Sequence, residues 1–148
     1  MEITTLEAEA QRLVLAAFTE ETALSLGLTL VELARAAALP VVINIRTADR
    51  TLFHAALPGA APNNDNWARR KSNVALLFHL PSLLVGAQMQ ASGRSLADHG
   101  LSPQDYADHG GAVPIRVRGV GVVAVATVSG LPSVEDHRLV VRALETLL

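Results

Sequence analysis

The chain has 148 residues, 50% of them hydrophobic, with twelve Lys or Arg against fourteen Asp or Glu and a net charge of −2. That length and apolar content suit one folded domain with a proper core, and the balance lacks the basic excess of a protein that grips nucleic acid by bulk charge. Cys is absent, which removes disulfide scaffolds, thiol catalysis and Cys-based zinc or iron–sulfur centres.

Leu6 to Arg12 reads as a short charged helix, and the following residues to Phe18 either continue it or form a first strand. Thr19 is an N-cap, with Glu20 and Glu21 in the first turn where the helix dipole favours acids. The helix it starts runs to about Ala38. Ala23, Leu24, Leu26, Leu30, Val31, Leu33 and Ala34 cover most of its circumference, so it is expected to be buried on more than one side, in the core or at a subunit contact. Val41 to Thr47 and Thr51 to Leu57 form a hairpin around Ala48-Asp49-Arg50. After a turn-rich loop, a long helix begins near Asn63 to Asp65 and runs to about Leu80. Pro81 breaks it, and a second helical piece covers Ser82 to about Ala91.

Gly93 to Gly111 reads as irregular. Val113 to Arg118 is a strand with a wet face carrying Arg116 and Arg118, and Val122 to Val128 is a strand covered on both faces. A last helix spans about Pro132 to Leu148. The order predicts an α/β sandwich of the profilin-like kind, an antiparallel sheet of about five strands flanked by helices, in a single domain over residues 1–148. No apolar run reaches the ~20 residues that cross a bilayer, and an N-terminal stretch with Glu2, Glu7 and Glu9 is unlike a secretory signal. The expected setting is cytoplasmic, without membrane or nucleic-acid partners.

Three clusters carry chemistry. In Asn63 to Asn73, helical spacing puts Asn66, Arg70 and Asn73 on one stripe and Trp67, Lys71, Val74 and Phe78 on the next. Either this is an anion-recognising face, with Arg forks and Asn amides as donors, or a helix start with a solvated basic face and a core Trp. Lys71 beside Trp67 either snorkels or meets an anion. In Asp108 to Pro114, Gly110 and Gly111 allow positive φ or a close backbone approach, and their amides can cradle an anion. His109 is there a proton donor or ligand atom, or a surface residue of a tight turn. In Ser129 to His137, Ser133 and Asp136 resemble a capping box. Spacings of three and four to Val134, Val141, Leu144 and Leu148 turn His137 inward. It is either a core histidine on a backbone carbonyl or a histidine near a pocket formed by Ser129 and Gly130.

A Ser129–Asp136–His137 hydrolase triad is rejected, because adjacent helical residues diverge by about 100° and Ser129 lacks the nucleophile-elbow glycines. No His pair has helical metal spacing, and no Walker or dinucleotide glycine pattern is present. His54, His79 and His99 have no recognisable partners.

Asn64-Asp-Asn-Trp-Ala-Arg-Arg-Lys71, His109-Gly-Gly-Ala-Val-Pro-Ile115, and Thr127-Val-Ser-Gly-Leu131 followed by Glu135-Asp-His137 resemble the haem-degrading domain family. This is the GlcG-like family related to the C-terminal domain of PduO-type proteins. With Leu52-Phe-His-Ala-Ala-Leu-Pro-Gly59, the match is closest to its small branch of uncharacterised proteins. The resemblance covers most of the chain. It implies a profilin-like fold, a homo-oligomer and a role in haem or tetrapyrrole binding. The residues carried over as a pocket are Asn66, Trp67, Arg70, Lys71, Gly110, Gly111, Ser129, Gly130, Asp136 and His137, joined by His109 from the second cluster. No metal ligand is assigned.

Three functions follow. The first is an oligomer that binds a small anionic ligand, haem foremost, with Arg70 and Lys71 on the propionates and His137 or His109 near the iron. The second is an enzyme on a small anionic metabolite, with His137 as acid or base and the Gly110-Gly111 amides on the negative charge. The third is an assembly module without chemistry.

Overall fold

The computed structural model describes residues 1–148. Its elements in chain order are α1 (Ile3–Arg12), β1 (Val14–Leu15), α2 (Glu20–Ala36), β2 (Val42–Arg46), β3 (Thr51–Ala56), α3 (Pro62–Phe78), α4 (Ser82–Ser92), a short 3-10 turn (Leu96–His99), β4 (Ala112–Val117), β5 (Gly121–Ser129) and α5 (Ser133–Glu145). The five strands form one sheet in the order β1-β4-β5-β2-β3. Helices cover both faces, as expected from the sequence.

The side-chain period of two divides the sheet. Ile43 and Ile45 of β2, Val113 and Ile115 of β4, and Ala126 and Val128 of β5 face α2 and α5, and with Leu26, Leu30 and Leu144 they make the main core. The other face lies under α3 and α4, where Ala112 and Val125 pack with Ala75. Val74, Val85, Met89 and Leu96 form a smaller cluster beyond. A polar rung crosses this second face: His54 pairs with Asn44, and Asn44 with Thr127.

Several expectations need correction. The Arg12 to Phe18 segment yields a two-residue strand, β1, that pairs parallel with β4 in an otherwise antiparallel sheet. Two residues carry no period, so only the neighbouring strand reveals it. Thr19 does cap α2, in a reciprocal exchange with Thr22. α2 stops at Ala36, and Ala38 turns the chain with φ +52 without help from glycine. Its second apolar side is not covered within the chain: Leu24 is 45% and Leu28 55% exposed. β4 buries Ala112 to Ile115 on both faces. Arg116 donates to the His79 carbonyl at 2.9 Å, and Arg118 lies beyond the strand end. α3 starts at Pro62, whose fixed φ and missing N–H suit a first helical position. At α5 the N-cap is Pro132, and Ser133 makes no capping bond.

Candidate functional site

Helix α3 carries two cations side by side with opposite surroundings. The Lys71 side chain passes inward and is 2% exposed. Its Nζ donates to Gly110 O at 2.9 Å, Val128 O at 2.7 Å and Asp136 Oδ2 at 3.1 Å. Those three acceptors take all three ammonium hydrogens. The Asp136 carboxylate accepts in turn from the Leu131 N–H at 3.0 Å and the Gly130 N–H at 3.3 Å. One buried ion pair thus ties α3, the turn before β4, the end of β5 and the start of α5. Burial pushes the Lys71 ammonium below the usual lysine range against the pull of Asp136. Burial likewise pushes the Asp136 carboxyl above the usual carboxylate range, against Lys71 and the Leu131 and Gly130 N–H groups. Gly111 makes the approach possible: at its φ of +135 a Cβ would collide with Val128 O and Lys71 Nζ.

Arg70 lies on the outer side. Its guanidinium stacks on Trp67, 4.4 Å from the ring centroid, and its Nε donates to Pro103 O at 2.9 Å. The Trp67 ring meets the His109 ring edge-on, with centroids 5.0 Å apart. Neighbouring residues of α3 hold the same loop. Arg69 donates to Asp105 Oδ1 at 3.0 Å and Gln104 O at 2.8 Å, and Asn73 Nδ2 to Asp105 O at 2.7 Å. Arg46 bonds the Asn73 amide oxygen from below. The cationic face is therefore tied to one loop while staying partly exposed, and the terminal nitrogens of Arg70 remain uncommitted. It clamps residues 103–107 and so fixes where His109 stands.

Two hollows meet at His109, Gly110 and Ser133. One is a polar notch of about 290 Å³ lined by Asn64, Trp67, Lys71, His109, Gly110, Ser129, Gly130, Leu131, Pro132, Ser133 and Asp136. The other is a cleft of about 670 Å³ between α3, α4 and the 94–110 segment. Its apolar walls include Leu83, Met89, Leu96 and Leu101, and its polar groups include Arg70, Arg94, Tyr106, Asp108 and His109.

Of the residues singled out in the sequence, Trp67, Lys71, His109, Gly110, Ser129, Gly130 and Asp136 line the notch, while Arg70 lines the cleft. Gly111 lies buried beneath Lys71. Asn66 is elsewhere, accepting from Arg69 at 3.2 Å on the helix surface. His137 is also elsewhere. It is fully buried, with Nε2 2.6 Å from Glu9 Oε1, so its partner is the α1 carboxylate rather than a backbone carbonyl. Nδ1 has no partner. His137 therefore serves the α1–α5 contact and is not placed for acid–base work in either hollow.

Sequence reasoning missed the cleft walls on α4 and the Arg94 and Tyr106 positions. A signal existed in Gly86, a glycine inside a helix, where a Cβ would strike the Asp108 carbonyl. It also missed the partners of His54, which bonds Asp65 Oδ1 at 2.9 Å and Asn44 Nδ2 at 3.0 Å. His99 packs edge-on to Phe78.

A five-stranded sheet between helical layers, with hollows where α3 meets the 108–111 turn and the start of α5, defines a profilin-like α/β domain. The chain belongs to the haem degrading protein HbpS-like family, whose model matches residues 18–145. It is 51% identical over 144 residues to a UPF0303 protein of Streptomyces coelicolor, covering 97% of this chain and 91% of that one. Among solved structures it is similar to Ybr137w, with a TM-score of 0.89, 31% identity, and coverage of 99% of this chain and 87% of that one. The fold also matches a PduOC–haem complex at a TM-score of 0.74 and 20% identity, over 87% of this chain and 94% of that one. No single helix is long and apolar enough to cross a membrane.

Proposed function

We propose that this chain binds haem or a related anionic tetrapyrrole in the cleft between α3, α4 and the 94–110 segment, and that it works as a homo-oligomer. One observation carries the ligand reading: an apolar-walled cleft bears two arginines and an exposed histidine. Its volume of about 670 Å³ lies within the usual range for ligand sites, roughly 300–1,000 Å³. Leu83, Met89, Leu96 and Leu101 offer walls to the macrocycle. Arg70 and Arg94 offer planar donors to the propionates. Trp67 and the clamp on residues 103–107 hold His109 at the junction, where its imidazole would be the residue to hold the iron. When bound, haem supplies a redox-active iron centre. The family description supports the same ligand class.

The geometry favours this cleft over the notch. Lys71 donates all its hydrogens within the protein and leaves no free cation for an anion there. For the oligomer, support comes from the uncovered apolar side of α2.

Titration of the purified chain with haemin, followed by absorbance, tests the ligand. A sharp Soret band saturating at a fixed haem-to-chain ratio is expected. His109→Ala and Arg70→Ala should weaken it, and His54→Ala should leave it unchanged. A weak, unsaturable shift would remove haem as the ligand. Full binding by both the His109 and Arg70 variants would remove this cleft as the site.

A further inference from the structure

The outer side of α2 has a pattern that the chain itself covers only in part, with Val31 packed against the main core. Glu21, Leu24, Leu28, Val31 and Arg35 recur at spacings of three and four, the period of a helix–helix seam. Leu24 and Leu28 are about half exposed, and the stripe ends in an acid at one end and a base at the other. A shallow depression lined by Leu28, Val31, Glu32, Arg35 and Ala36 lies along it.

The stripe also has a defined neighbour. Gly27 seats directly on the Phe53 ring of β3, so closely that a Cβ there would overlap the ring. Leu24 and Val31 lie three residues before and four after Gly27, on the ridge beside it. They therefore flank the edge of β3. That edge is open, since β3 is the last strand of the sheet and pairs only with β2. Thr51-Leu-Phe-His-Ala-Ala56 carries no Lys, Arg, Asp, Glu or Pro, the residues that normally protect a free edge from pairing.

We infer that a second copy of this chain docks here, with the sheet continuing through β3 of both copies and the two α2 helices packed antiparallel on the same face. A two-fold axis perpendicular to the sheet produces both contacts at once, because it reverses every direction in the sheet plane. Phe53 is near the middle of β3 and Leu28 is the midpoint of the stripe. Gly27 on Phe53 puts them at one level, so a single axis centres both. Around that axis Leu28 meets Leu28, and Leu24 of each copy falls beside Val31 of the other, level with position 32. Glu21 of each faces Arg35 of the other, so the charges at the ends complement each other. The antiparallel helix dipoles agree with that pairing. The inference rests on the oligomeric reading above and names its surface.

Sedimentation velocity on the full chain, without haem, tests it. The wild type should run as a dimer or a larger even assembly. Leu24→Glu with Leu28→Glu should lower the mass at least twofold while far-ultraviolet circular dichroism stays unchanged. Glu21→Arg and Arg35→Glu should each weaken assembly alone, and restore it when combined. A wild type that assembles with undiminished mass in the Leu24→Glu, Leu28→Glu variant would overturn this surface and leave the oligomer standing. A wild type that is monomeric at every concentration would overturn both readings. Failure of the combined charge swap to restore assembly would overturn the antiparallel pairing.

Discussion

Arg70 and Lys71 are adjacent in the chain and opposite in every physical respect. A turn of about 100° along the helix separates them, and that turn sends one outward to an aromatic ring and the other into a cage of oxygens. Arg70 keeps its end groups at the rim of a cleft. Lys71 has all its hydrogens committed to three segments that converge on it. The comparison separates two settings that look alike in sequence: one cation stands at the rim of the cleft proposed for the ligand, and the other holds the frame beneath it.

The largest test breaks the frame. Lys71→Met leaves the Asp136 carboxylate buried without its cation, and removing one partner of a buried pair costs about 3–5 kcal/mol. Urea unfolding should show that loss, and Lys71→Met combined with Asp136→Leu should recover much of it. The sign with pH follows from Asp136. Burial raises its folded pKa above the unfolded value. The folded state therefore takes up the proton first, so stability gained by protonation is full below the unfolded pKa and lost as pH rises through the folded one. The Lys71→Met variant should thus regain stability as pH falls from neutral toward the ordinary carboxylate range, more than the wild type does.

Gly111→Ala attacks the same frame through its backbone. The left-handed φ alone costs about 1–3 kcal/mol, and the collision with Val128 O and Lys71 Nζ adds to it. Thermal unfolding should register a clear drop in Tm. Glu9→Ala leaves the buried His137 ring without its only partner, at about 1–3 kcal/mol for an unsatisfied polar group. Hydrogen exchange should quicken in α1 and the facing part of α5, and haemin binding should not change, which keeps His137 apart from the cleft.

The smallest stability effect belongs to the rim. Arg70→Ala removes a partly exposed cation–π contact of about 0.5–1 kcal/mol and one hydrogen bond, so unfolding should shift little. Its haemin affinity should fall several-fold. If Arg70→Ala unfolds the protein as badly as Lys71→Met, the division between rim and frame is wrong.

Much of this was legible from the residues. The apolar period marked the strands and helices of the core. The N-cap at Thr19 stood where expected, and the spacing of Asn66, Arg70 and Asn73 did describe one outer face of α3. Other features were not legible. The inward turn of His137 was readable from its stripe, but Glu9 as its partner was not, because that partner is 128 positions away. The sequence put Lys71 on an apolar stripe beside Trp67, where it either snorkels or meets an anion; that the anion is Asp136, 65 positions away, was not legible.

Local periodicity and turn chemistry act between residues a few positions apart, so the sequence alone determined the longer elements, their order and the helical faces that carry charge, but not the two-residue β1. The tertiary structure decided which charges face each other. Lys71 meets Gly110, Val128 and Asp136 across 39, 57 and 65 positions, and Val14 of β1 finds Arg116 of β4 far along the chain. Those pairings depend on how the sheet brings distant segments together, and only burial makes an ammonium require three oxygens from the protein itself.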